Sequence, residues 1–79
     1  MSEDMTWKER LRAEYAELHE KYLKLKAFNT KEEVSIHSVD RTPSWSDIYA
    51  RDLRVQQQKI MGEYLHVLEL RAVLHHVDL

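Results

Sequence analysis

Apolar residues recur at Trp7, Leu11, Tyr15, Leu18, Tyr22, Leu25 and Phe28 in steps of three and four. That spacing sets all seven side chains on one face of an α-helix. Just ahead of the pattern, Thr6-Trp7-Lys8-Glu9 reads as a capping box in which the Thr6 hydroxyl and the Glu9 carboxylate satisfy each other's backbone amides. A first helix is therefore predicted over about 6–28, and Asn29, which tolerates a left-handed backbone, suits its C-terminal end. From Thr30 to Arg41 the periodicity lapses and Val34, Ile36 and Val39 lie among charges, so 29–42 reads as a connector with a helical turn capped by Thr30 and Glu33. Thr42-Pro43 opens a second helix, with Ser44 as a competing cap. This helix is predicted over about 43–77, through Trp45, Ile48, Tyr49, Leu53, Ile60, Met61, Tyr64, Val67, Leu68 and Leu74.

The fold class that follows is all-α: one domain over 1–79, an antiparallel two-helix hairpin with a connector, assembled into a symmetric helical oligomer. Setting Phe28 near Trp45 places Leu11 opposite about Gly62 and Trp7 opposite about His66. The second helix then overhangs the first, and the part after Val67 is apolar on more than one side, through Leu68, Leu70, Ala72, Val73, Leu74 and Val77. Leu65, Val73 and Val77 form a second stripe that one partner helix cannot cover. A contact between copies accounts for such an overhang better than a frayed tail.

Composition narrows this further. One glycine and one proline leave few places for turns, and 33% charged residues in a chain of 79 leave too little apolar surface to enclose a large core in one copy. With no cysteine, disulfides and thiolate metal sites are excluded, so self-association is the expected source of stability. No apolar run reaches the roughly 18 residues of a membrane span, and the acidic start, Met-Ser-Glu-Asp-Met, does not resemble a secretory leader. A net charge of -2 argues against a duplex nucleic-acid binder.

Two groups of residues carry candidate chemistry. Arg71 continues the seam of Met61, Tyr64 and Leu68, where a leucine would be expected. It is either a snorkelling, glutamate-paired arginine or, where copies converge in an oligomer, a phosphate site. Lys21, Lys24, Lys26 and Lys31 run past the end of helix one with no acid between them. The helix dipole alone explains lysines there, and with the Thr30 hydroxyl they form a second candidate anion site. Tyr15 and Tyr22 are core residues by spacing or stacking platforms for a base. Glu63 and His66 match half of a di-iron motif whose other half is missing, so no metal is expected. Neither a nucleophile with its base nor a phosphate-cradling glycine loop is present, so no catalysis and no cofactor are expected.

The succession Glu9-Arg10-Leu11, Glu14 to Leu18, Lys21 and Leu23 to Phe28, followed by Gln56 to Met61, Tyr64, Leu68 and Arg71, resembles the Acb/Tad-type hairpin proteins of bacteriophages. These are anti-defence sponges for cyclic-nucleotide signals. The resemblance implies a protein of the infected bacterium's cytoplasm that forms homo-oligomers, commonly hexamers. Such a protein binds cyclic di- or trinucleotides without cleaving them and blocks CBASS- or Thoeris-type immunity. It also implies that Arg71 meets phosphates on a threefold axis and that Tyr15, Lys26 and Thr30 line a second pocket, with Lys24 or Lys31 as alternatives to Lys26. A structural or regulatory hairpin that binds a protein or RNA is the competing function.

Overall fold

The computed structural model describes residues 6–38 and 44–79 and consists of two helices, α1 (Trp7–Ser38) and α2 (Trp45–Leu74), packed against each other. The body is 60 Å long and 17 Å thick in its narrowest direction, so the seam between the helices is its whole interior. α1 starts at the expected box: the Thr6 amide donates to Glu9 Oε1 at 3.0 Å and the Glu9 amide to Thr6 Oγ1 at 3.2 Å. These bonds, helped by the nearby Arg12 charge, hold the Glu9 carboxyl below its ordinary value. α2 starts at Ser44, whose hydroxyl accepts from the Asp47 amide at 3.2 Å while its own amide donates to Asp47. The alternative start at Thr42-Pro43 lies outside the described residues.

At its other end α2 stops three residues short of the expected Val77. His76 takes a left-handed conformation with φ of 58°, the His76 amide donates to Val73 O and the Val77 amide donates to Ala72 O at 2.8 Å. This is a Schellman motif with histidine in the position usually given to glycine, and a left-handed non-glycine residue costs about 1–2 kcal/mol. The turn folds Val77 back into a buried cluster with Leu11, Leu68 and Ala72. Arg12 Nε secures the tail by donating to Asp78 O at 2.9 Å, and the Trp7 and His75 rings meet edge to face at 4.8 Å.

Three expectations require correction. First, α1 does not end at Phe28; it continues through Asn29–Ser38, most of the expected connector. Asn29 is a buried seam residue, not a cap: its Nδ2 donates to Arg54 O at 3.1 Å and to Gln58 Oε1 at 2.9 Å, so the partner helix holds it in helical register. Second, the register is shifted. Phe28 lies under the Arg54 guanidinium and not beside Trp45, Tyr22 faces Gly62, and Tyr15 bonds Glu69. With helices of 32 and 30 residues the overhang disappears.

Third, the seam of α2 runs through Met61, Leu65, Leu68 and Ala72, and not through Tyr64 and Arg71. Both stripes share Met61 and Leu68. The small residues decide between them, because Gly62 and Ala72 let the backbones approach. A Cβ on Gly62 would sit 3.3 Å from the Tyr22 ring. Arg71 is left exposed, and Tyr64 sits at the flank of the seam, beside Leu18 and Lys21 of α1.

Candidate functional site

The seam changes character along its length. Beyond Tyr22 the two helices meet through polar side chains: the Asn29 amide on Gln58 and the Arg54 carbonyl, Arg54 paired with Glu32 at 3.2 Å, and Arg51 near Glu33 at 3.7 Å. Because the Arg54 carbonyl can only accept, Asn29 must present its NH2 there, which fixes the orientation of the amide. Asn29 Oδ1 is then a buried acceptor with no partner among the described residues. Arg51 Nε and Arg54 Nε are buried donors in the same condition. Such groups are uncommon in folded proteins because each loses its hydration without replacement.

Beside this polar layer an open groove of about 280 Å³ is lined by Asn29, Thr30 and Glu33 from α1 and by Val55, Gln58 and Lys59 from α2. The Thr30 hydroxyl donates to Lys26 O at 2.8 Å, so its lone pairs remain as acceptors. The groove thus combines one ammonium, two carboxamides, a hydroxyl and one carboxylate, with Val55 as its apolar lining residue. Such a lining suits a ligand with both an anionic group and hydrogen-bonding edges. A second groove, of about 310 Å³, is lined by Glu14, Glu17, Leu18, Lys21 and Tyr64. Two carboxylates stand there against one lysine, and Lys21 already pairs with Glu17 at 3.4 Å, so it suits an anion poorly.

The structure brings together some of the expected site residues and separates others. Lys26 and Thr30 lie one helical turn apart on α1, and Lys26 is exposed. Tyr15 precedes Thr30 by fifteen residues, roughly 22 Å along the helix, so one chain does not place them in one pocket. The Tyr15 hydroxyl donates to Glu69 Oε2 at 2.7 Å, which raises the phenol above its ordinary value of 10.0, and the ring stacks on His19. Lys24 pairs with Glu20 at 3.1 Å. Arg71 is exposed on the outer face of α2, and its carbonyl accepts from the His75 amide. Asn29, Gln58 and Lys59 are site residues that the sequence reading missed. One signal for the first was available: the seam step of four from Leu25 lands on Asn29.

These features define a class, a two-helix hairpin with an apolar seam at its termini and a polar, ligand-sized groove toward its connector. The chain belongs to the Sequestin family, whose profile matches residues 5–74. The family name denotes sequestration; the match does not single out the Acb/Tad type. No curated protein and no solved structure matches the chain. No helix among the described residues is long and apolar enough to cross a membrane.

Proposed function

We propose that this chain binds cyclic-nucleotide second messengers and sequesters them without cleavage, acting as a homo-oligomer in an infected bacterium's cytoplasm and blunting CBASS- or Thoeris-type immunity. The observation that carries the reading is family membership across residues 5–74, under a name that denotes sequestration. The Thr30 groove supports it. Lys59 supplies charge for phosphates, with the exposed Lys26 one helical turn from Thr30 as a second cation, while the Gln58 carboxamide and the Thr30 hydroxyl offer the donor and acceptor that a base edge would use. Arg71, exposed on the outer face of α2, meets phosphates only where copies bring several arginines together. Tyr15 contributes to a ligand pocket only across copies as well. The competing reading, a hairpin that binds a protein partner, draws on the exposed apolar side chains of α2, among them Trp45, Val73 and Leu74.

Thermal melting with a panel of cyclic di- and trinucleotides tests the proposal, because a ligand at 100 times its dissociation constant adds about 2.7 kcal/mol to stability. Ligand released by heat should be recovered chemically intact. A panel without any shift, or recovery of linearised product, would overturn the reading.

A further inference from the structure

The Thr30 groove contains one residue that a phosphate alone does not call for. Glu33 is the single carboxylate of its lining, and it stands there with Thr30, Val55, Gln58 and Lys59. Among the described residues it meets one cation, Arg51, through Oε1 at 3.7 Å, and its side chain is 66% exposed. That contact is longer than a hydrogen bond, so both carboxylate oxygens keep lone pairs for a ligand. The other polar groups are fixed in a definite sense. Thr30 spends its proton on Lys26 O and retains only acceptor capacity. The Asn29 NH2 donates both to Arg54 O and to Gln58 Oε1, which turns the Gln58 carboxamide so that its own NH2 is the end left to donate to a ligand. The groove therefore offers a donor from Gln58, acceptors from Glu33 and Thr30, and an ammonium from Lys59.

This set of groups discriminates among nucleobases. Guanine presents the O6 acceptor and the N1–H and N2–H donors in a row, and these complement one donor followed by a carboxylate. Adenine and cytosine set a ring-nitrogen lone pair beside their amine, and uracil has a single N–H between two carbonyls. Each of these three turns an acceptor toward one carboxylate oxygen, which is repulsive. From this we infer that the groove takes a guanine base, with Glu33 accepting from N1 and N2, Gln58 donating to O6, Val55 against the flat face of the ring and Lys59 meeting the attached phosphate. The volume of about 280 Å³ suits a single nucleotide. It falls just under the roughly 300–1,000 Å³ of ligand pockets, so the remainder of a cyclic dinucleotide lies outside the groove. The inference rests on the nucleotide reading proposed above and adds the base that the groove selects.

Calorimetric titrations test the base directly. Cyclic di-GMP should bind about tenfold tighter than cyclic di-IMP, which lacks the N2 amine, and at least about a hundredfold tighter than cyclic di-AMP. Glu33→Gln replaces one acceptor by a donor, and an amide pairs bidentately with the amine of adenine and its adjacent ring nitrogen. This variant should therefore lower the preference for cyclic di-GMP over cyclic di-AMP by about tenfold or more, while the free protein melts within about 2 °C of the parent, because an exposed ion pair contributes little. Equal affinity for the three ligands, or a Glu33→Gln protein that weakens all of them by one factor, would overturn the base assignment and leave sequestration standing. The converse case is read by NMR titration with guanosine and adenosine 5′-monophosphates. The guanosine nucleotide should shift the Gln58 side-chain amide and the Thr30 signals, and the adenosine nucleotide should not. Those shifts without binding of any cyclic dinucleotide would sink sequestration and keep the base assignment. Equal shifts with both nucleotides, or none with either, would sink the base assignment.

Discussion

The two halves of the hairpin hold together by different means. Toward the termini, Leu11, Leu65, Leu68, Ala72 and Val77 are nearly or wholly buried and close a small apolar core. Toward the connector, Asn29, Glu32, Arg51, Arg54 and Gln58 meet through hydrogen bonds and ion pairs, with three buried polar atoms lacking partners among the described residues. Burial of apolar area is non-directional and stabilising, whereas buried polar contacts contribute little net energy and strongly disfavour any other alignment. The first half therefore supplies stability. The second sets register and borders the groove lined by Thr30, Gln58 and Lys59.

The largest test of this contrast is Leu68→Ala, which empties the one described core position with no exposure at all. A fully buried leucine truncated to alanine costs about 2–5 kcal/mol, enough to unfold a hairpin of this size. Chemical denaturation at fixed protein concentration should show it, and a loss below about 1 kcal/mol would mean that the apolar half is not the anchor. Asn29→Ala should cost less, about 1–2 kcal/mol for two buried hydrogen bonds. It should also raise amide exchange selectively around Gln58, and uniform exchange along both helices would contradict the division into halves.

His76→Gly should act in the opposite direction. Removing the left-handed strain at the Schellman turn is expected to stabilise the termini by up to about 1 kcal/mol, or a few degrees in Tm. An unchanged or lower Tm would show that the histidine ring, and not the backbone, holds that turn. The smallest effect concerns the Thr6–Glu9 cap. Because the folded Glu9 carboxyl lies below its ordinary value of 4.5, its contribution is present above that pH and is lost as pH falls through the folded value. Thermal melts between pH 6 and pH 3 (roughly the carboxylate range) should therefore decline less steeply for Glu9→Gln than for the parent chain.

How far the sequence revealed this arrangement differs between the same two halves. The first five turns of α1 are legible because capping and periodicity agree from Thr6 to Leu25. At Asn29 they part company. An asparagine after an apolar stripe reads locally as a cap, and only the Arg54 carbonyl and Gln58 of the partner helix show that it continues the seam. The second ambiguity lies in α2, whose two apolar stripes share Met61 and Leu68, so periodicity cannot say which faces inward. The contact of Tyr22 with Gly62 settles that, and it depends on a register that a single sequence does not contain. For the same reason Lys26 and Thr30 were legible as neighbours around the expected end of helix one, while Gln58 and Lys59, which line the Thr30 groove from across the seam, were not.

The contact of Trp7 with His75, with Arg12 holding the Asp78 carbonyl beside it, places both ends of the described helices at the same tip of the rod. A pulling force applied through handles ahead of Trp7 and after Leu79 would therefore peel the helices apart like the arms of a zipper, and would not slide one along the other. The load would fall first on the apolar cluster around Leu68, one turn at a time. The polar pairs near the connector would feel it only after that cluster had parted, so a force trace should show its main rupture early and a low, extended tail thereafter.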